Sequence, residues 1–137
     1  MGEADDLKKL CQTVGLTALF LHGSRATGQA SEDSDVDFAY LAPHGRDTDP
    51  VEDLLIPGLA QIYDVDEADI DLQNLRESPP PFRIRVFDFG KLIYTGNSTD
   101  LARFHAGSVS ESWDYEYFMR PFRKAMRQRI REGRFAS

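Results

Sequence analysis

The chain has 137 residues, enough for one domain with a modest core of its own. Its 41% hydrophobic, 28% charged and 11% aromatic residues are those of a globular protein, and no stretch approaches the roughly 18 apolar residues of a membrane span. The net charge of −7 argues against a general nucleic-acid binder, and the single cysteine, Cys11, excludes an internal disulfide or a cysteine-built metal site.

The N-terminus "MGEADDLKKL" is acidic and has no signal-peptide core, so a cytoplasmic protein is expected. Leu7, Leu10, Cys11 and Val14 fall at helical spacing and predict a helix over 3–14, ended by Gly15. "LTALFL" (16–21) reads as a buried strand, and "SRATG" as a short helix entered at Ser24 and stopped by Gly28. "DVDFAYL" (35–41) alternates acid and apolar residues, the period of a strand with one wet face. "PHGRDTDP" (43–50) is turn-rich. Leu54, Leu55, Leu59 and Ile62 predict a helix over 51–62, weakened by Pro57 and Gly58.

"ADIDLQNL" (68–75) alternates again, with Ile70 and Leu72 opposite Asp69, Asp71 and Gln73. "PPPFRIRVFDFG" (79–90) opens with prolines tolerated at a helix start and is assigned as a helix. "KLIYTG" (91–96) is a strand or hairpin arm, and 99–107 is helical. From Trp113 to about Ile130, Tyr115, Phe118, Met119, Phe122, Met126 and Ile130 form an apolar stripe on a helix with an arginine-rich opposite side, which Pro121 should bend or divide. Seven Lys/Arg and one acid between Phe118 and Ser137 give that end +6, leaving −13 on the remainder. Residues 112–137 are thus expected to be a basic amphipathic C-terminal helix on a single domain spanning 1–137. Strands alternating with helices predict an α/β domain of two or three layers.

The chemistry concentrates between Gly23 and Asp37. On a strand, side chains two apart share a face, so Asp35 and Asp37 project together while Val36 and Phe38 face the core. Two such carboxylates repel unless a cation sits between them, and hard oxygens suit magnesium, which takes its remaining ligands from water and phosphate. The pair can bridge two metals flanking a phosphoryl group. Gly23, without a Cβ, lets a triphosphate approach the backbone; the Ser24 hydroxyl and the N–H groups after it favour anions, and Arg25 is a natural phosphate clamp.

Gly23-Ser24, ten intervening residues, then Asp35-Val36-Asp37 resembles the signature of the DNA polymerase β-like nucleotidyltransferase superfamily. The spacer and the flank "FLHGSRATGQASEDSDVDFAYL" resemble its minimal nucleotidyltransferase (MNT) branch, the antitoxins of HEPN/MNT toxin–antitoxin systems. The likeness continues through "DIDLQNLRESPPPFRIRVFDFGKLIYTGN" and the tail "DYEYFMRPFRKAMRQRIREG".

The resemblance implies a nucleotidyltransferase fold: a small mixed sheet flanked by helices, with a long C-terminal helix. It implies transfer of AMP from ATP to a tyrosine hydroxyl of a cognate HEPN ribonuclease toxin, with which the chain would form a hetero-oligomer. Asp35 and Asp37 would hold two Mg²⁺ ions. The third acid falls on Asp71, with Asp69 in reserve on what reads as the same strand face, and Asp71 would also help deprotonate the attacking hydroxyl. Gly23, Ser24 and Arg25 would hold the triphosphate. Such a reaction depends mainly on positioning and charge neutralisation.

Blander readings stand beside these. Asp-x-Asp alone is most often a solvated edge, and only its union with Gly-Ser and a third acid tips the balance. His22 reads as a partly buried strand-end histidine, and Glu32 and Asp33 as loop charges. The arginine face is commonly just solvated; the alternative is that Arg123, Arg127, Arg131 and Arg134 dock on an acidic face of the toxin. Two rival functions are a nucleotidyltransferase acting on a small hydroxylated molecule such as an aminoglycoside, and a non-catalytic antitoxin that neutralises by binding.

Overall fold

Residues 2–23 and 35–133 are described by the structure, a computed structural model. The elements run α1 (Glu3–Val14), β1 (Ala18–His22), β2 (Val36–Leu41), α2 (Thr48–Tyr63), a 3-10 turn (Glu67–Asp69), β3 (Ile70–Asn74), a second 3-10 turn (Leu75–Glu77), α3 (Pro80–Phe89), β4 (Lys91–Thr95) and α4 (Ser98–Arg131). The sheet order is β3-β2-β1-β4, with β1 antiparallel to both β2 and β4 and β2 parallel to β3. This is the small mixed sheet flanked by helices that the sequence implied.

Alternation along β1 and β2 divides the core in two. Leu19, Val36, Phe38 and Tyr40 face α1 and α2, meeting Leu7, Cys11, Val14, Val51, Leu55 and Leu59. Ala18, Phe20, Ala39 and Leu41 face the other way, onto Val86 of α3 and onto Leu101 and Phe104 of α4. The domain therefore has three layers. Each large side chain so buried contributes roughly 1.5–3 kcal/mol.

The helix starts and stops have local causes. Glu3, Asp5 and Asp6 set negative charge at the start of α1, where the helix dipole favours it. Gly15, at φ 83°, closes the helix by donating its N–H to the Cys11 carbonyl. Asn97 caps α4, its side chain accepting from the Asp100 N–H at 3.0 Å. Asp100 in turn accepts from Thr17 Oγ1 at 2.9 Å and pairs with Arg76 at 3.1 Å, tying the start of α4 to β1 and to the turn after β3.

Two expectations change. The helices expected at 99–107 and 113–130 are one helix of 34 residues, about 51 Å long. The basic segment from 112 is therefore its second half rather than a separate element. The helix also runs through Pro121, just as α2 runs through Pro57. Pro121 removes one intrahelical bond, to the carbonyl of the exposed Tyr117, where water can replace it. Finally, Asp69 lies in the 3-10 turn before β3 and not on the strand, because pairing with β2 begins at Val36 opposite Ile70.

Candidate active site

The register of the sheet assembles the polar residues. Asp37 on β2 lies opposite His22 at the end of β1 and opposite Asp71 on β3. Because Asp37 sits between the core residues Val36 and Phe38, it faces the α3 side of the sheet, and register brings Asp71 to the same face. The Asp71 carboxyl is near enough to Asp37 to raise its proton affinity. Asp71 Oδ1 also accepts from Gln73 Nε2 at 3.0 Å. Asp35 stands exposed immediately before β2.

Electrostatically the site is unbalanced. Burial pushes the Asp37 carboxyl above its ordinary range; His22 opposes that shift, while Asp71 and Asp35 add to it. A carboxylate pair of this kind, hard-oxygen donors facing one another at a strand end, fits a magnesium-type cation. Among the described residues, however, no three acidic, histidine or cysteine side chains are gathered tightly enough to hold a metal as they stand. Asp37 and Asp71 form the pair, and Asp35 is the neighbour whose charge reaches Asp37.

Gly23 closes the site from behind. It follows β1 with φ 72°, a left-handed conformation that favours glycine. A Cβ there would overlap Asp37 Oδ2, so the missing side chain makes room for the carboxylate itself. Ser24 and Arg25, the expected phosphate ligands, lie outside the described residues, as do the expected short helix after Ser24 and Glu32, Asp33 and Arg134.

Of the expected acids, Asp37 and Asp71 are thus brought together, while Asp69 is left on the preceding turn. Two further residues belong to the cluster. Gln73 holds Asp71, and the alternation of "DIDLQ" had already put it on the acid face. His22 is a partly buried strand-end histidine, with its ring edge-on to Phe82 at 5.7 Å. Its buried Nε2 has no hydrogen-bond partner among the described residues. Nothing in the sequence signals the Phe82 contact, which depends on how α3 crosses the sheet.

A cavity of about 650 Å³ lies at the opposite end of the sheet, between Gln12, Thr17, Tyr94, Asp100 and Arg103. Its carboxylate, Asp100, is already engaged by Thr17 and Arg76, so it offers no equivalent of the Asp37–Asp71 pair. Among the described residues no helix is long and apolar enough to cross a membrane.

Comparison with known proteins follows the same lines. No curated protein matches the chain. The fold is similar to a chain of a toxin–antitoxin complex with AMP-PNP, at 24% identity and TM-score 0.72, covering 89% of this chain and 96% of that one. It is similar to a chain of the MntA–HepT toxin–antitoxin complex, at 22% identity and TM-score 0.65, covering 90% and 95%. A third likeness is to a chain from tri-AMPylated Shewanella oneidensis HEPN toxin in complex with MNT antitoxin, at 22% identity and TM-score 0.66, covering 90% and 94%. The family model described as polymerase beta, nucleotidyltransferase matches residues 5–99, the segment that carries Gly23, all three aspartates and every strand of the sheet. With more than half of its length so matched, the chain belongs to the polymerase beta nucleotidyltransferase family.

Proposed function

We propose that this chain is an MNT-type antitoxin that transfers AMP from ATP to a tyrosine hydroxyl of a cognate HEPN ribonuclease toxin, and so silences it. The observation that carries the reading is the Asp37–Asp71 pair, side by side on parallel strands with the Gly23 turn behind it. Family membership supports nucleotidyl transfer. The structural relatives, complexes of toxin with antitoxin, one holding an ATP analogue and one an AMPylated toxin, support the partner, the nucleotide and the acceptor class.

In this reading Asp35, Asp37 and Asp71 would hold magnesium, which when bound neutralises the triphosphate and steadies the pyrophosphate as it leaves. The remaining work falls to the chain. The Gly23 turn, with Ser24 and Arg25 following it, receives the triphosphate tail. Asp71, oriented by Gln73, accepts the hydroxyl proton as the tyrosine oxygen bonds to the α-phosphorus and pyrophosphate departs. Gln73 is a positioning residue, since it acts through Asp71.

The test is to incubate the purified chain with ATP, Mg²⁺ and a candidate cognate HEPN protein, and to follow the toxin by intact mass. Adenylate-sized increments on a tyrosine are expected, and their loss in the Asp35→Asn, Asp37→Asn variant. Transfer that persists in the double variant would sink the site assignment. Transfer to an aminoglycoside and not to protein would replace the acceptor. A double variant that still rescues growth from the toxin would reduce the chain to a binding antitoxin.

A further inference from the structure

Two contacts fix how α3 lies on the sheet. Near its start, the Phe82 ring meets the His22 ring at 5.7 Å. At its end, a Cβ built on Gly90 would come within 3.4 Å of the Leu21 carbonyl oxygen. Leu21 and His22 are the last two residues of β1, and Gly23 follows them. The stretch of α3 between these contacts therefore runs past the Gly23 turn.

The two arginines of α3 look opposite ways. Arg83 and Phe87 share the flank that packs on α4, through the Arg83–Glu111 ion pair and the Phe87–Phe104 and Phe87–His105 ring contacts. Arg83 also donates to the carbonyls of Leu75, Arg76 and Ser78, and its side chain is only 11% exposed. At roughly 100° per residue, Arg85 lies about 160° around the helix from Arg83 and Phe87, and about 60° from Phe82. It thus stands on the flank that Phe82 turns towards His22, on the side of Phe82 away from the buried Val86. Arg85 is exposed there and belongs to no ion pair among the described residues.

Strand order says what this guanidinium would meet. The order β3-β2-β1 sets Asp71, Asp37 and the Gly23 turn on successive strands, roughly 4.8 Å apart. An in-line displacement puts the acceptor and the leaving group on opposite sides of the α-phosphorus. With the acceptor hydroxyl at Asp71, the leaving group departs towards β1 and the α3 flank beyond it. We infer that Arg85 binds the β- and γ-phosphates and holds the pyrophosphate as it leaves. The inference rests on the nucleotidyl-transfer reading. In that step the tyrosine oxygen bonds to the α-phosphorus while its proton passes to Asp71. The bond from the α-phosphorus to the bridging oxygen breaks, and its electron pair goes to the pyrophosphate. Asp35, Asp37 and Asp71 make the site acidic, so a polyphosphate entering it needs cationic partners on its far side. A guanidinium is charged at any working pH, and its planar fork matches two phosphate oxygens.

Calorimetric titration of the purified full chain with magnesium pyrophosphate, and separately with magnesium ATP, tests it. Arg85→Ala should weaken both by about tenfold, the effect of losing one charge-assisted contact. Arg85→Lys should fall between that variant and the parent, since it keeps the charge and loses the fork. Neither substitution should lower the melting temperature, because Arg85 ties down none of the described residues by an ion pair. Lys91 supplies the control for a mere change of net charge. It lies opposite Leu21 in the register, and Leu21 packs into the α1 and α2 side of the core, so Lys91 is on the other face of the sheet. Lys91→Ala should bind both ligands as the parent does. Parent-like binding in Arg85→Ala, or an equal loss in Lys91→Ala, overturns the inference and leaves nucleotidyl transfer standing. A parent chain that binds neither ligand sinks both.

Discussion

The carboxylate of Asp37 fills the space that a side chain at position 23 would need, since a Cβ built on Gly23 would overlap Asp37 Oδ2. The two residues are 14 positions apart in sequence, yet the antiparallel pairing of β1 with β2 sets His22, the neighbour of Gly23, directly across from Asp37. The glycine of the Gly-Ser signature thus makes room for the acid, beside the phosphate approach proposed for it. It lets Asp37 lean towards the turn where the triphosphate is proposed to lie.

Gly23→Ala should therefore fail twice. The φ of 72° strains any residue with a Cβ, and the new methyl displaces the carboxylate. A loss of about 1–3 kcal/mol in urea unfolding is expected, together with loss of adenylyl transfer. Adding Asp37→Ala should recover part of the stability, by removing the clash, and none of the transfer. A Gly23→Ala variant with normal stability and activity would show that the turn and the acid are independent.

Much of this arrangement was legible in the sequence, because strand alternation is a strong local signal. "DVDF" and "DIDL" each announce an acid face, and Gly-Ser at a fixed spacing before the first of them marks the turn. What the sequence could not give was register. Asp69 and Asp71 are equivalent by periodicity, and only the pairing of Val36 with Ile70 puts Asp69 outside the strand and Asp71 beside Asp37. The contact of His22 with Phe82 likewise depends on how α3 crosses the sheet. At Pro121 the helix continues as one element. The proline's penalty is set by whether the freed carbonyl can reach water, and sequence does not report the exposure of Tyr117.

Asp100 lies far from the proposed chemistry and should matter to stability alone. Its carboxylate accepts from Thr17, which is 2% exposed, and from Arg76, so Asp100→Ala takes the acceptor from a buried hydroxyl and from the Arg76 Nη2, leaving that guanidinium its Nε bond to the Ala42 carbonyl. The expected loss is about 1–3 kcal/mol by denaturant melt. The rate of transfer by the folded fraction should be unchanged, and a selective loss of activity would place the cavity beside Asp100 within the functional site.

Gln73 offers the complementary case. Its Nε2 donates to Asp71 Oδ1 from the same strand face, exposed enough that its removal should hardly disturb folding. Gln73→Leu should lower transfer by about 10–100-fold, the usual effect of freeing a ligand from its outer hydrogen bond. The loss should be partly overcome by raising Mg²⁺. Gln73→Glu should retain less activity still, because it adds a third charge beside Asp71. Kinetics at several magnesium concentrations, with melting curves to check the fold, would decide it.

The last prediction concerns the cost of holding Asp37 where it is. Burial raises its carboxyl from the ordinary value of 3.8, and Asp71 and Asp35 reinforce the shift against the pull of His22. Unfolding returns the group to the lower value. In the range between the two, the native state binds more protons than the unfolded chain, so this residue's contribution falls as pH rises. It is most favourable below the unfolded value and is lost once pH passes the raised native one. Asp37→Asn, which carries no charge at any pH, should therefore match the parent chain in acid and become the more stable of the two by neutrality. The gap should show at pH 7 without divalent ions as a higher melting temperature of the variant. Adding Mg²⁺ should close it by stabilising the parent and not the variant, since a cation that binds only the folded carboxylate pair acts on that state alone. Calorimetry from about pH 4 to pH 7, with and without the metal, separates these outcomes. If Asp37→Asn is less stable at neutrality, or responds to Mg²⁺ as the parent does, then Asp37 is held by something other than a site built for a cation.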